Sequence, residues 1–303
     1  MCAMTRRIFL GRAGSLAAVT AMGAAMPKWA LADPLHLPIG IQLYVVNGDL
    51  GKDAEATIKQ IAAIGYKEVE TAGFGSAKTA AALRKILDDN GLKCPSAHLP
   101  LRLDNLQASF DDAHALGCTY ATSSVPMRWL ATGAPTPGGG MGPMTPEQFA
   151  PLAEDMNKVG EAAKKAGLKF AAHNHTFEFT MVDGKPGYDY LLSHTDKNLV
   201  TFEIDCGWMT VAGYKPADFI KKYPGRVKML HIKDFLPYEK GAAAGPTAPK
   251  GSEIGGGVVN YKEIFAGVKG KGIEHIFVEQ EGPYTRVPPL EAAAIDYKYL
   301  HSM

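Results

Sequence analysis

Cysteine is scarce in this chain: four in 303 residues, at Cys2, Cys94, Cys118 and Cys206. Four thiols so widely spaced are not a disulfide framework, and the last three read as small core residues. Long apolar runs are also lacking. The most apolar stretch, from about Ala13 to Met26, is rich in Gly and Ala, and it is too short and too weakly hydrophobic for a stable membrane anchor. Nor is there an excess of one charge. Lys and Arg number 32 against 31 Asp and Glu, a formal net charge of +1. Such a balance offers no polyanion-binding surface, so nucleic acid is not an expected partner.

What is present begins with a leader. Thr5-Arg-Arg-Ile-Phe-Leu10 is a twin-arginine signature, and Ala30-Leu-Ala32 is a small-residue cleavage site ahead of Asp33. Cys2 lies before the arginines, which excludes it as a lipoprotein attachment site. The expected organisation is a signal peptide over residues 1–32 and one domain over 33–303, exported to the periplasm. Removing Arg6, Arg7, Arg12 and Lys28 takes Lys+Arg from 32 to 28 against 31 acids, a net charge of −3.

The remainder alternates short β-type runs with amphipathic helical segments. Strands are expected at 39–45, 67–70, 92–98, 118–123, 168–175, 199–205, 227–232 and 275–279. Helices are expected near 53–64, 77–89, 106–116, 145–166, 188–193, 216–222, 261–268 and 289–300. Thr145 followed by Pro146 is a good helix start. Eight strand–helix units with short connections predict an α/β fold, a single (β/α)8 TIM barrel. Two Gly/Pro-rich stretches, 132–143 and 240–257, follow strands four and seven on the functional face. The first is a candidate flap, with Met127, Trp129 and Met141 as an apolar underside.

Several strands end in polar groups where an apolar run should give way to a plain loop. Val227-Lys-Met-Leu-His-Ile232 carries His231 and runs on into Lys233 and Asp234. Leu199 to Asp205 ends on Asp205, His275 to Glu279 on Glu279, and strand five on His173 and His175. Strands two and three end on Glu70 and His98. In a parallel barrel these side chains gather at one mouth. Asp205, His231 and Glu279 with a strand-five imidazole form a mixed N/O set. That set suits one divalent Mn, Zn, Co or Fe ion better than calcium. Singly, each acid reads as a cap or a salt-bridge partner; the set points to metal.

The runs Gly40-Ile-Gln-Leu-Tyr44, Gly65-Tyr-Lys-Glu-Val-Glu70, His173-Asn-His-Thr-Phe-Glu-Phe179, Asp205-Cys-Gly-Trp208, Leu230-His-Ile-Lys-Asp234, Gly255-Gly-Gly-Val-Val259 and Val278-Glu-Gln-Glu281 occur in this order across nearly the whole mature chain. Together they resemble the sugar phosphate isomerase/epimerase family, the xylose-isomerase-like barrels. The resemblance implies a single divalent metal ion, with Asp205, His231 and Glu279 as ligands. The family's epimerases carry a strand-five glutamate that is both ligand and acid/base. Here that strand offers histidines, so the two-glutamate mechanism does not carry over intact. His175 is the expected fourth ligand, with His173 close behind as ligand or substrate contact. Glu178 is a substrate contact or a displaced acid/base.

The expected chemistry is removal of a proton next to the carbonyl of a non-phosphorylated sugar or keto-sugar. Glu279, His98 or His175 takes the proton. Lys233 donates to the oxyanion or to a departing hydroxyl, unless it is a plain salt-bridge partner of Asp234 or Glu203. Glu70, Trp208 and Tyr44 are expected to bind the sugar. Epimerisation, isomerisation and elimination stay open, with a lyase or hydratase acting on 3-keto-glycosides as the alternative. A phosphodiesterase and a non-catalytic sugar-binding protein are competing classes, disfavoured by the charge and by the intact ligand set respectively. Exposed barrel helices leave room for a homodimer.

Overall fold

The computed structural model describes residues 34–124, 144–241, 248–284 and 286–303. Eight parallel strands close a barrel: β1 (Ile39–Gln42), β2 (Glu68–Thr71), β3 (Lys93–His98), β4 (Tyr120–Ser123), β5 (Lys169–His173), β6 (Val200–Asp205), β7 (Val227–Ile232) and β8 (His275–Val278). Neighbours in sequence are neighbours in the barrel, and β1 closes against β8 with Gly40 opposite Phe277. The expected (β/α)8 architecture is therefore present. The leader-like segment, the proposed flap at 132–143 and its Met127, Trp129 and Met141 lie outside the described residues.

Helices follow their sequence signals. Asp53 caps Ala54–Ile64, its Oδ1 accepting from Ala56 N–H at 2.9 Å. Pro146 opens a 3-10 turn, Pro146–Gln148, that leads into Phe149–Lys165. The apolar faces of these helices pack on the outer faces of the strands, where Ile41, Val69, Ile204, Ile232 and Ile276 are buried. Strands run two to three residues shorter than expected at β1 and β5, because the backbone leaves the ladder to form turns at Leu43 and Asn174.

Alternate residues point into the barrel and form layers. The middle layer is apolar: Tyr120, Ala171, Met229 and Phe277 form a buried cluster separate from the outer core. Gly40 makes room for it, since a Cβ there would lie 2.6 Å from the Phe277 ring. Below this layer, at the amino ends of the strands, the Tyr120 hydroxyl donates to Glu274 (2.6 Å), which also pairs with Lys169 (3.3 Å) and Lys228 (3.0 Å). His275 pairs with Glu68 (2.7 Å). Above it, the same strand faces carry the site. Among the described residues no helix is long and apolar enough to cross a membrane.

Candidate active site

Strand alternation delivers the polar side chains. Glu70, His98, His173, Glu203, Asp205, His231 and Glu279 project from six strand ends into one buried cluster, and Lys233 joins them one turn of the pleat beyond His231. The backbone that holds them is tied by side chains. Asn174 Oδ1 accepts from Asp205 N–H at 3.1 Å, joining the ends of β5 and β6. Asp205 caps the helix Cys206–Val211, with Oδ1 accepting from Trp208 N–H at 2.7 Å. The Tyr261 hydroxyl accepts from the Lys233 N–H and donates to its carbonyl, both at 2.6 Å.

Asp234, adjacent in sequence, turns away from the cluster. Its carboxylate accepts the backbone N–H groups of Phe235 and Val259 (each 2.9 Å) and of Gly255 and Gly257 (each 3.0 Å). The Gly255-Gly-Gly-Val-Val259 stretch thus wraps a buried carboxylate. Gly257 must be glycine, since a Cβ there would meet Asp234 Oδ1 at 2.3 Å. The salt-bridge alternative for Lys233 therefore fails for both partners considered. Its ammonium lies 3.1 Å from Glu279 Oε2 and 3.7 Å from Asp205 Oδ2, contacts Glu281 Oε1, and stands 4.8 Å over the Trp208 ring.

The imidazoles interlock with the carboxylates. His231 Nδ1 lies 3.0 Å from Glu279 Oε2, and its Nε2 lies 2.6 Å from Glu70 Oε2 and 3.2 Å from Glu203 Oε2. His98 Nε2 sits between Glu203 (2.9 Å) and Glu70 (3.1 Å). His173 Nδ1 lies 2.9 Å from the same Glu203 oxygen. His98 stacks on His231 with ring centroids 5.4 Å apart.

One ligand atom each from His173, Asp205, His231 and Glu279 lie within 4.8 Å of one another. This two-nitrogen, two-oxygen set matches the chemistry of a first-row divalent ion. Asp205 Oδ2 is buried and has no hydrogen-bond partner among the described residues, so it retains an acceptor for a cation. The fourth place differs from expectation. His173, the last residue of β5, joins the set, whereas His175 lies past the strand end and stacks on Phe177 (5.5 Å). A second group, His98, His173, Glu203 and His231, shares two members with the first.

Electrostatics separate the groups. Burial raises Asp205 to about 7, against the pull of Lys233. Burial works against the charge on Glu279, but Lys233 and His231 outweigh it and hold the carboxyl well below its ordinary range. Burial likewise opposes the charged form of His98, yet Glu70 and Glu203 raise it to about 10. Burial, then the neighbouring His231, lowers His173 to about 4. His175 falls to about 3 through burial, His173 and Lys233.

The expected sugar contacts are less uniform. Glu70 is fully buried and shared between His98 and His231, with Ser96 Oγ as a further donor, so it organises imidazoles rather than lining open space. Glu178 is also buried; its Oε2 accepts from His175 N–H at 2.9 Å and holds the turn after β5. Trp208 is half-buried, 4.7 Å from Phe235, and its indole donates to Glu281 at 3.3 Å. Tyr44 is 50% exposed on the turn after β1. Two cluster members, Glu203 and Glu281, received no site role from the sequence. Each lies two residues from a named group, Asp205 or Glu279, and strand alternation alone would have found them.

Comparison with known proteins agrees with the fold. The family described as xylose isomerase-like TIM barrel matches residues 58–303. The inosose dehydratase of Clostridium botulinum is 29% identical over 278 residues, covering 83% of this chain and 91% of that protein. A sugar phosphate isomerase/epimerase from Parabacteroides distasonis superposes with a TM-score of 0.68 at 25% identity, covering 86% of this chain and 96% of that one. An IolI protein with a bound zinc atom superposes at 0.65 and 13% identity, covering 86% and 96%, which speaks to the fold alone. On the family match and the closed barrel together, this chain belongs to the xylose isomerase-like TIM barrel family, as an enzyme of the sugar isomerase/epimerase or lyase type.

Proposed function

We propose that this enzyme removes a proton next to the carbonyl of a non-phosphorylated sugar or keto-sugar, using one divalent ion held by His173, Asp205, His231 and Glu279. The observation that carries the reading is the convergence of these four donors in one buried cluster beside a buried lysine. A divalent ion held there would supply Lewis-acid polarisation of the carbonyl. Glu279, kept ionised by Lys233 and His231, is the carboxylate placed to accept the α-proton. Lys233 Nζ donates toward the developing oxyanion. His98, kept protonated by Glu70 and Glu203, is the acid for a departing hydroxyl.

Among the outcomes of α-proton removal, loss of water from the adjacent carbon is favoured. The C–H electron pair becomes the new C=C bond, the β C–O bond breaks, and the hydroxyl leaves with a proton as water. Dehydratases among the relatives support this outcome, with epimerisation and isomerisation as the alternatives. The test is NMR in D₂O with inososes, ketoses and 3-keto-glucosides, using protein loaded with Zn²⁺, Mn²⁺ or Co²⁺ and freed of metal before recording. Expected is deuterium beside the carbonyl or an unsaturated product, lost in Glu279→Gln. No exchange and no product across the panel, with metal bound, counts against proton abstraction.

We also propose export by the twin-arginine route, a mature chain starting at Asp33, and periplasmic location, all on the strength of Arg6-Arg7 and Ala30-Leu-Ala32. Amino-terminal sequencing of periplasmic protein tests all three. A homodimer through the outer helices is part of the same proposal and is read by light scattering.

A further inference from the structure

Glu203 stands out in the cluster. It is fully buried, on β6, two residues before Asp205 and on the same strand face. A single oxygen, Oε2, faces three imidazole nitrogens: His98 Nε2 at 2.9 Å, His173 Nδ1 at 2.9 Å and His231 Nε2 at 3.2 Å. Its other oxygen has no hydrogen-bond partner among the described residues. No lysine or arginine lies among its ion-pair partners in the described residues; all of them are rings.

A histidine can ligate an ion through only one nitrogen while the other holds its proton. Glu203 accepts from His173 at Nδ1, so His173 is left with Nε2 for an ion. Glu70 accepts from His231 Nε2 at 2.6 Å, with Glu203 Oε2 beside the same nitrogen at 3.2 Å, which leaves His231 Nδ1, the nitrogen 3.0 Å from Glu279. Glu203 therefore selects the free nitrogen on His173 directly, and its charge reinforces on His231 the choice that Glu70 makes by hydrogen bond. Partners of this kind fix ring orientation and raise ligand basicity.

We infer that Glu203 is the positioning residue of the metal centre, acting through His173 and His231 rather than binding the ion itself. Asp205 Oδ2 and Glu203 Oε1 both lack a hydrogen bond among the described residues, but Asp205 belongs to the four-donor set that holds Glu279, whereas Glu203 Oε2 faces the imidazole nitrogens of His98, His173 and His231. The inference rests on the metal reading above, and the experiment separates the two.

Metal-free wild type, Glu203→Gln and Glu203→Asp are titrated with Mn²⁺ by calorimetry, and the same proteins are loaded with Co²⁺ for visible spectra. The expected result is an Mn²⁺ affinity about 10–100-fold weaker in Glu203→Gln, the usual effect of losing such a partner. The Co²⁺ bands should shift in both variants, which a purely structural role would not produce. Adding His173→Glu to Glu203→Gln places a carboxylate directly in the set and should restore part of the lost affinity. Wild-type affinity and an unchanged Co²⁺ spectrum in Glu203→Gln overturn the inference, as does an unchanged spectrum in Glu203→Asp should the glutamine variant not fold. A double variant no better than Glu203→Gln overturns action through His173. Wild type that binds neither ion overturns the metal reading itself.

Discussion

The two ends of the barrel lumen are built from the same kinds of residue and are balanced differently. At the amino end, Glu274 meets Lys169, Lys228 and the Tyr120 hydroxyl, and Glu68 meets His275. Among the described residues no buried polar atom there lacks a partner. At the carboxyl end, Glu70, Glu203, Asp205, Glu279 and Glu281 face one lysine and three imidazoles, and Asp205 Oδ2 and Glu203 Oε1 are left without hydrogen bonds. A plug built for stability pairs its charges; a site built for a ligand holds some back. The apolar layer of Tyr120, Ala171, Met229 and Phe277 divides the two.

Removing a group from the unbalanced end should have the largest effect. His231→Gln is expected to weaken Mn²⁺ binding by more than the ~10–100-fold typical of losing an outer partner, because it removes a direct ligand as well as the link between Glu70 and Glu279. Calorimetric titration reads this out; retained affinity would erase the contrast between the two ends. Next is Asp234→Ala, which frees the backbone N–H groups of Phe235, Gly255, Gly257 and Val259 and should cost about 3 kcal/mol of stability, on the scale of lost hydrogen bonds to a charged group. Urea unfolding measures it.

A pH dependence sharpens the comparison further. In the metal-free protein Asp205 is raised to about 7 by burial and His231 is raised above its ordinary value, with Glu203 and Glu279 outweighing burial. Both must lose protons to ligate, so metal affinity should rise with pH through neutrality, with proton release on binding. The folded state binds the extra Asp205 proton, so this residue alone makes the metal-free protein less stable as pH rises from about 4 to about 7. Titration in buffers of different ionisation enthalpy counts the protons. Smallest is Glu274→Gln at the balanced end. Its partners are partly exposed, so it should cost no more than about 1 kcal/mol and leave metal affinity unchanged.

The fold was legible because period-2 apolar runs alternate with capped amphipathic helices, and the strands β3, β6, β7 and β8 fall within a residue of their expected ends. The site was legible wherever a polar residue ended an apolar run, as at Asp205, His231 and Glu279. It was less legible inside a run. Glu203 sits between Phe202 and Ile204 and reads as a strand interruption until the lumen-facing register is known. Two histidines at the end of one strand, His173 and His175, could take the fourth ligand place, and His175 is the one expected. The backbone leaves the strand after His173, so the earlier histidine points into the cluster. Asp234 looked like a site residue by adjacency, yet alternation turns it toward the glycine loop.

The most direct measurement is anomalous diffraction from crystals of the protein grown with Co²⁺. The account predicts one peak per chain, bonded to His173, Asp205, His231 and Glu279, that survives His175→Ala and vanishes in His173→Ala. No peak in the mouth, or a peak bonded to His175 and indifferent to His173, would contradict it.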